Sequence, residues 1–156
     1  MIREDWSRVG RISAYTQALK VNQIEYDPEI VFEVNEHSFS EGYQALERIL
    51  AKNEELPLEK KIEAIVCTSD TLAAGILTAA NRHNVNFPVI GFDNLPVAEL
   101  LDITTVDQRA RNAGRLSFRH LYNALSYYKR KSEYPAFVEE SINMQVVIRR
   151  SCGCSD

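Results

Sequence analysis

The chain has 156 residues, 45% of them apolar and 26% charged, with a formal net charge of −4. That length suits one domain with a real core, and the acidic balance, with no basic stripe, argues against direct nucleic-acid binding. No apolar run is long enough to span a bilayer, and the charged opening MIREDWSRVGR lacks the apolar stretch of a signal peptide, so a cytoplasmic location is expected.

Residues 7–22 place Val9, Ile12, Tyr15, Ala18 and Leu19 along one side of a helix. Asp27-Pro28 breaks the chain, and residues 29–34 (EIVFEV) then read as a strand. Residues 40–51 carry Tyr43, Leu46, Ile49 and Leu50 at helical spacing, and the charged, proline-containing stretch 53–61 reads as an exposed loop. Residues 64–67 (AIVC) form a short unbroken apolar run, the pattern of a strand buried on both faces. Ser69 or Asp70 can cap the helix that follows to about residue 83, which sets Leu72, Ile76 and Ala80 on one side. Residues 88–92 (PVIGF) give a third buried strand. Strands alternating with helices over short connections specify an α/β fold with a doubly wound parallel sheet.

After Thr104-Thr105-Val106 the pattern changes. Residues 108–129 form one long helical stretch with Ala110, Ala113, Leu121, Ala124, Leu125 and Tyr128 on its apolar side. Residues 137–138 and 144–148 read as closing strands, and 151–156 as a loose tail.

Ligands of open parallel sheets bind beyond the carboxyl ends of the strands, where polar loops face a crevice. Thr68-Ser69-Asp70 and Asp93-Asn94 stand at two such ends. A carboxylate there accepts hydrogen bonds from adjacent hydroxyls and a guanidinium donates in a matching fork, so the two make a clamp for a polyol. The alternative, an aspartate that caps a helix or a turn, stands open for both Asp70 and Asp93. Enzymatic signatures are missing: there is no nucleophile elbow, phosphate-binding loop, dinucleotide fingerprint or HExxH pair. His37, His83 and His120 lie far apart, Cys67 reads as a small core group, and Cys152 with Cys154 supplies at most half a zinc site. The odd cysteine count points to reduced thiols. No enzymatic activity, cofactor or metal site is therefore expected.

Residues 64–75 (AIVCTSDTLAAG) resemble the AI…D-x-x-A-x-G motif of the LacI/GalR regulators' sensor domains, which have a periplasmic-binding-protein-like fold of type I. Residues 89–94 (VIGFDN) are similar to their V-x-G-F-D-D/N strand, and residues 103–108 (ITTVDQ) to their L-T-T-V-x-Q crossover. Upstream, residues 11–19 (RISAYTQAL) resemble R-x-x-G-[FY]-x-x-A-L, with Ala14 where glycine is usual. The usual V-P-x-D stretch is contracted to Asn86-Phe87-Pro88, which alters an edge loop rather than the cleft.

The resemblance implies a sensor of small effectors, carbohydrates foremost, that acts as a homodimer and meets DNA only through a separate domain. It assigns Arg11 as a donor to ligand hydroxyls, Ser69 as a polar group facing the ligand, Asp93 as the accepting carboxylate and Gln108 as a polar group of the cleft. Asp70 becomes a helix cap that holds its loop. An aromatic stacks on the ligand a few residues before Gly42; counting back reaches His37, while Phe39 is the better chemical match. Residues 1–150 then form a partial, incomplete sensor domain: 1–103 in the C-terminal subdomain, 104–130 the crossover and a helix of the N-terminal subdomain, 131–150 the closing strands, with 151–156 as tail. A helix-turn-helix and the opening part of the sensor, including the first strand of the C-terminal subdomain, are expected to lie outside this sequence. The long helix should accordingly lack the sheet it normally covers. The ending VIRRSCGC is also similar to LacI-like sensors fused to diguanylate cyclases or kinases, and a fragment that only dimerises through its long helix is a further alternative.

Overall fold

The computed structural model describes residues 6–136 and 138–154. Helix α1 covers Trp6–Val21, a 3-10 turn follows at Pro28–Ile30, and helix α2 spans Phe39–Glu55. Strand β1 (Ile65–Val66), helix α3 (Asp70–Arg82) and strand β2 (Val89–Phe92) come next. A short helix α4 (Pro96–Leu100) leads to β3 (Thr104–Asp107), the long helix α5 (Ala110–Lys131) and β4 (Gln145–Val147). The sheet runs in the order β1-β2-β3-β4, parallel between β1 and β2 and between β2 and β3, antiparallel between β3 and β4.

Capping chemistry sets the two best-packed helices. Ser38 accepts from the Glu41 amide at 3.2 Å and opens α2, and Ser69 accepts from the Leu72 amide at 3.3 Å and opens α3. The helix α2 runs past the expected residue 51 because its polar last turn continues until Pro57, whose ring forces Leu56 into extended backbone. Together α2 and α3 bury Leu46, Ile49, Leu72 and Ile76, while Val89 and Ile103 are fully covered in the sheet region. A Cβ at Gly75 would strike the Phe39 carbonyl, so this glycine lets the two helices touch backbone to backbone.

Several expected elements come out differently. No strand forms over residues 29–34: Asp27 accepts from the Glu29 amide at 2.8 Å, and Pro28 opens a 3-10 turn that winds up the first half. Residues 31–34 continue outside the sheet, with Phe32 and Val34 packed against the core. Strand β1 was expected to be buried on both faces, yet Ile65 is buried while Val66 is 67% exposed. Of the closing strands only Gln145–Val147 enters the sheet; Val138 is exposed, and Phe137 lies outside the described residues.

The start of the tail is not loose. Arg150–Cys152 forms a 3-10 turn in which the Ser151 hydroxyl donates to the Val89 carbonyl at 2.6 Å and accepts from the Thr104 amide at 2.8 Å. Helix α5 contains no buried residue, and Phe118 is 70% exposed. Among the described residues no helix is long and apolar enough to cross a membrane.

Candidate functional site

Beyond the carboxyl ends of β1, β2 and β3, side chains from separate segments converge. Arg11 reaches from α1 to both neighbouring strand ends: Nη1 donates to the Thr68 carbonyl at 2.8 Å and Nη2 to Asp93 Oδ1 at 3.5 Å. The guanidinium carbon stands 4.3 Å from the centroid of the Phe92 ring, a cation–π contact that keeps the charge flat against the strand end. Gln108, just past β3, donates through Nε2 to the same Oδ1 of Asp93. His37 Nε2 and Thr68 Oγ1 lie 3.3 Å apart. Arg11, His37, Thr68, Phe92 and Gln108 line one end of a cavity of about 780 Å³, whose remaining walls are largely apolar. That volume falls in the range of small-molecule sites, which combine apolar walls with a few convergent polar groups.

Asp93 owes its aim to the groups behind it. It has φ of 108° and Asn94 has φ of 54°, left-handed backbone that costs free energy in residues with a Cβ. The Asp93 amide donates to the Val106 carbonyl at 3.0 Å, which ties the turn to β3. Behind it, Asp70 is fully buried: Oδ1 accepts from the Thr105 hydroxyl at 2.5 Å, and Oδ2 from the Leu95 amide at 2.7 Å. The Thr105 oxygen in turn accepts from the Asn94 amide at 3.3 Å. Arg149 closes the far side, donating to Asn94 Oδ1 at 3.0 Å and to the Ile103 carbonyl at 2.8 Å. A Cβ at Gly91 would strike Asp70 Oδ1, so the glycine of β2 makes room for this carboxylate.

Burial pushes the Asp70 carboxyl above its ordinary pKa. The hydrogen bonds from Thr105 and Leu95 pull it down, the charge of Asp93 pushes it up, and Arg149 pulls it down. One buried carboxylate thus joins the loops that follow β1 and β2 to the strand β3. Thr68 and Asp93 lie in those two loops, and Gln108 directly follows β3.

Of the residues expected at the site, Arg11, Asp93 and Gln108 come together. Ser69 stands in the neighbouring loop but is 3% exposed, with its hydroxyl engaged by the Leu72 amide. Ser69 therefore takes the capping role expected of Asp70, and Asp70 braces the loops instead. Phe39 opens α2 and does not line the cavity, whereas His37 does. Thr68 was marked only as part of a strand end, and sequence reasoning missed Phe92, Thr105 and Arg149. Phe92 carried a signal: it is the residue before Asp93, at the very end of a strand pointing at the crevice.

Residues 2–152 match the family model described as a periplasmic binding protein-like domain. The HTH-type transcriptional repressor PurR of Vibrio atlanticus is 29% identical over 143 residues, which cover 85% of this chain and 41% of that protein. The repressor CytR of Escherichia coli is 32% identical over 111 residues, 67% of this chain and 30% of its own length. Among solved structures, the regulator CcpA of Lactococcus lactis superposes with a TM-score of 0.74 at 26% identity, covering 96% of this chain and 52% of that one. A LacI family regulator of Enterococcus faecium with bound ribose gives a TM-score of 0.72 at 22% identity, covering 90% and 49%, a likeness of fold. The chain thus spans about half the length of these structures and less than half of the curated relatives, which are transcriptional repressors rather than enzymes. It belongs to the periplasmic binding protein-like domain family, in the form that LacI-type transcription regulators use as their sensor.

Proposed function

We propose that the chain is the effector-binding part of a LacI-type transcription regulator and that its strand-end cleft takes a polyhydroxylated small molecule such as a carbohydrate. The carrying observation is the convergence of Arg11 and Gln108 on a single oxygen of Asp93. Both donors engage Oδ1, which leaves Oδ2 to accept from ligand hydroxyls, and Arg11 keeps donor N–H groups to spare. The ribose bound by the Enterococcus faecium relative is of this chemical class. Thr68 and His37 belong to the rim of the same cleft, and Ser69 serves it indirectly by fixing the start of α3.

In this reading the ligand acts by favouring one arrangement of the cleft over another, and that shift passes to a cytoplasmic homodimer whose DNA contacts lie in a separate domain. Titration calorimetry against pentoses, hexoses and nucleosides tests it. At least one of these should bind, and Asp93→Ala and Arg11→Ala should each weaken it at least about tenfold, near 1.4 kcal/mol, with the fold retained by circular dichroism. Unchanged affinity in both variants would contradict the assignment.

A further inference from the structure

Cys152 and Cys154 stand together at the 3-10 turn that follows β4, and both are free thiols. Ser151 anchors that turn to β2 and to β3, through the Val89 carbonyl and the Thr104 amide, so Cys152 extends from fixed backbone. The Cys152 thiol donates to the Arg149 carbonyl at 3.3 Å, and its sulfur accepts from the Cys154 amide at 3.3 Å. Gly153 between them has φ of 70° and ψ of 6°, left-handed backbone that glycine adopts without steric cost. Helical φ/ψ of either hand brings the two flanking Cα atoms to about 5.5 Å. That separation lies inside the span of about 4.4–6.8 Å that a disulfide bridges. The two thiols are also unequal. Cys152 is half-buried and Cys154 exposed; the Cys154 side chain, the largest influence, holds the Cys152 thiol below its usual pKa, while Cys152 raises that of Cys154. The thiolate is the attacking form of a cysteine, so the turn supplies one nucleophile and one reserve thiol. Cys67 is buried and takes no part.

We infer that Cys152 and Cys154 form a redox-reactive dithiol, in which a hydroperoxide oxidises Cys152 and Cys154 then closes an intramolecular disulfide across Gly153. In the first step the Cys152 sulfur attacks one peroxide oxygen. The O–O bond breaks, the other oxygen leaves as water or an alcohol after taking a proton, and Cys152 becomes a sulfenic acid. In the second step the Cys154 sulfur attacks the Cys152 sulfur. An S–S bond forms, the S–O bond breaks, and water departs with the Cys154 proton. The thiols together lose two electrons, and the peroxide takes them up. Nothing in this inference depends on what the cleft binds.

The test treats the full, reduced chain with hydrogen peroxide and reads the tryptic peptide 151–156, which carries both thiols, by mass spectrometry. The peptide should become lighter by two hydrogen atoms, and dithiothreitol should restore it. In Cys154→Ser the reaction should stop at a Cys152 sulfenic acid that dimedone traps. In Cys152→Ser the Cys154 thiol should react at least about tenfold more slowly than Cys152 does in Cys154→Ser. In urea that preference should vanish, because it comes from the folded turn. Equal rates at the two cysteines in the folded variants, or a preference that persists in urea, would overturn the inference. So would disulfides that form only between chains, seen as a band on a non-reducing gel that grows with protein concentration.

Discussion

Helices α3 and α5 are both amphipathic, yet α3 contains eight buried residues in thirteen and α5 none in twenty-two. Their difference lies in the partner and not in the helix. Helix α3 meets α2 and the sheet, with Gly75 allowing close contact and Ser69 fixing its start. Helix α5 presents Phe118, Leu121 and Tyr122 to solvent, although its apolar side is as regular as that of α3. Hydrophobic periodicity shows which face of a helix requires cover; it does not supply the cover.

That contrast can be broken by substitution. Leu46→Ala empties a fully buried position and should cost about 3 kcal/mol in urea unfolding, whereas Leu121→Ala on α5 should change stability by less than about 0.5 kcal/mol. Comparable losses would mean that α5 is covered after all. A second test lies at Asp70. Removing its carboxylate with Asp70→Ala strands the Thr105 hydroxyl and the Leu95 amide, and should cost about 1–3 kcal/mol.

Asp70 also carries a pH signature. Its folded-state pKa is raised, so its contribution to stability is fully present below the ordinary aspartate pKa and is lost as pH rises through the folded value. Asp70→Asn should remove that fall from the stability–pH profile. An identical profile in the variant would assign the pH dependence to another group.

The smallest perturbation is chemical labelling of native thiols. Burial pushes the Cys67 thiol up to about 12, while the hydrogen bond with the Cys154 side chain holds Cys152 below its usual value. At pH 8 iodoacetamide should modify Cys152 first and leave Cys67 untouched until the chain unfolds. Early loss of the Cys67 thiol would show that β1 opens readily beside the cavity.

Much of the site was legible from the sequence because its residues sit in local motifs. Arg11 and Gln108 came from motifs shared with the family and Asp93 also from its strand-end position; the three meet in space, although Asp93 itself is not among the residues lining the cavity. Thr105 and Arg149 were not legible, since their roles arise from contacts across 35 residues to Asp70 and 55 residues to Asn94. Either Ser69 or Asp70 could cap α3 on sequence grounds, and only the burial of the Asp70 carboxylate against Thr105 and Leu95 gives the cap to Ser69. Residues 29–34 misled through composition: the run is apolar enough for a strand, but Asp27 and Pro28 commit its start to a turn, and no strand pairs with the remainder. The long helix was read nearly to its ends, since a pattern over six turns is hard to mistake.

On the proposed function, ligand recognition resides at the corner of Arg11, Asp93 and Gln108 and not on the bare face of α5. The most direct measurement is an NMR titration with the tightest ligand from the carbohydrate and nucleoside panel. The Gln108 side-chain amide and the backbone amides of Thr68, Asp93 and Asn94 should shift and saturate together, while Phe118, Leu121 and Tyr122 stay fixed. Shifts confined to α5, with the Gln108 amide unmoved at saturation, would place recognition elsewhere and overturn the proposed function.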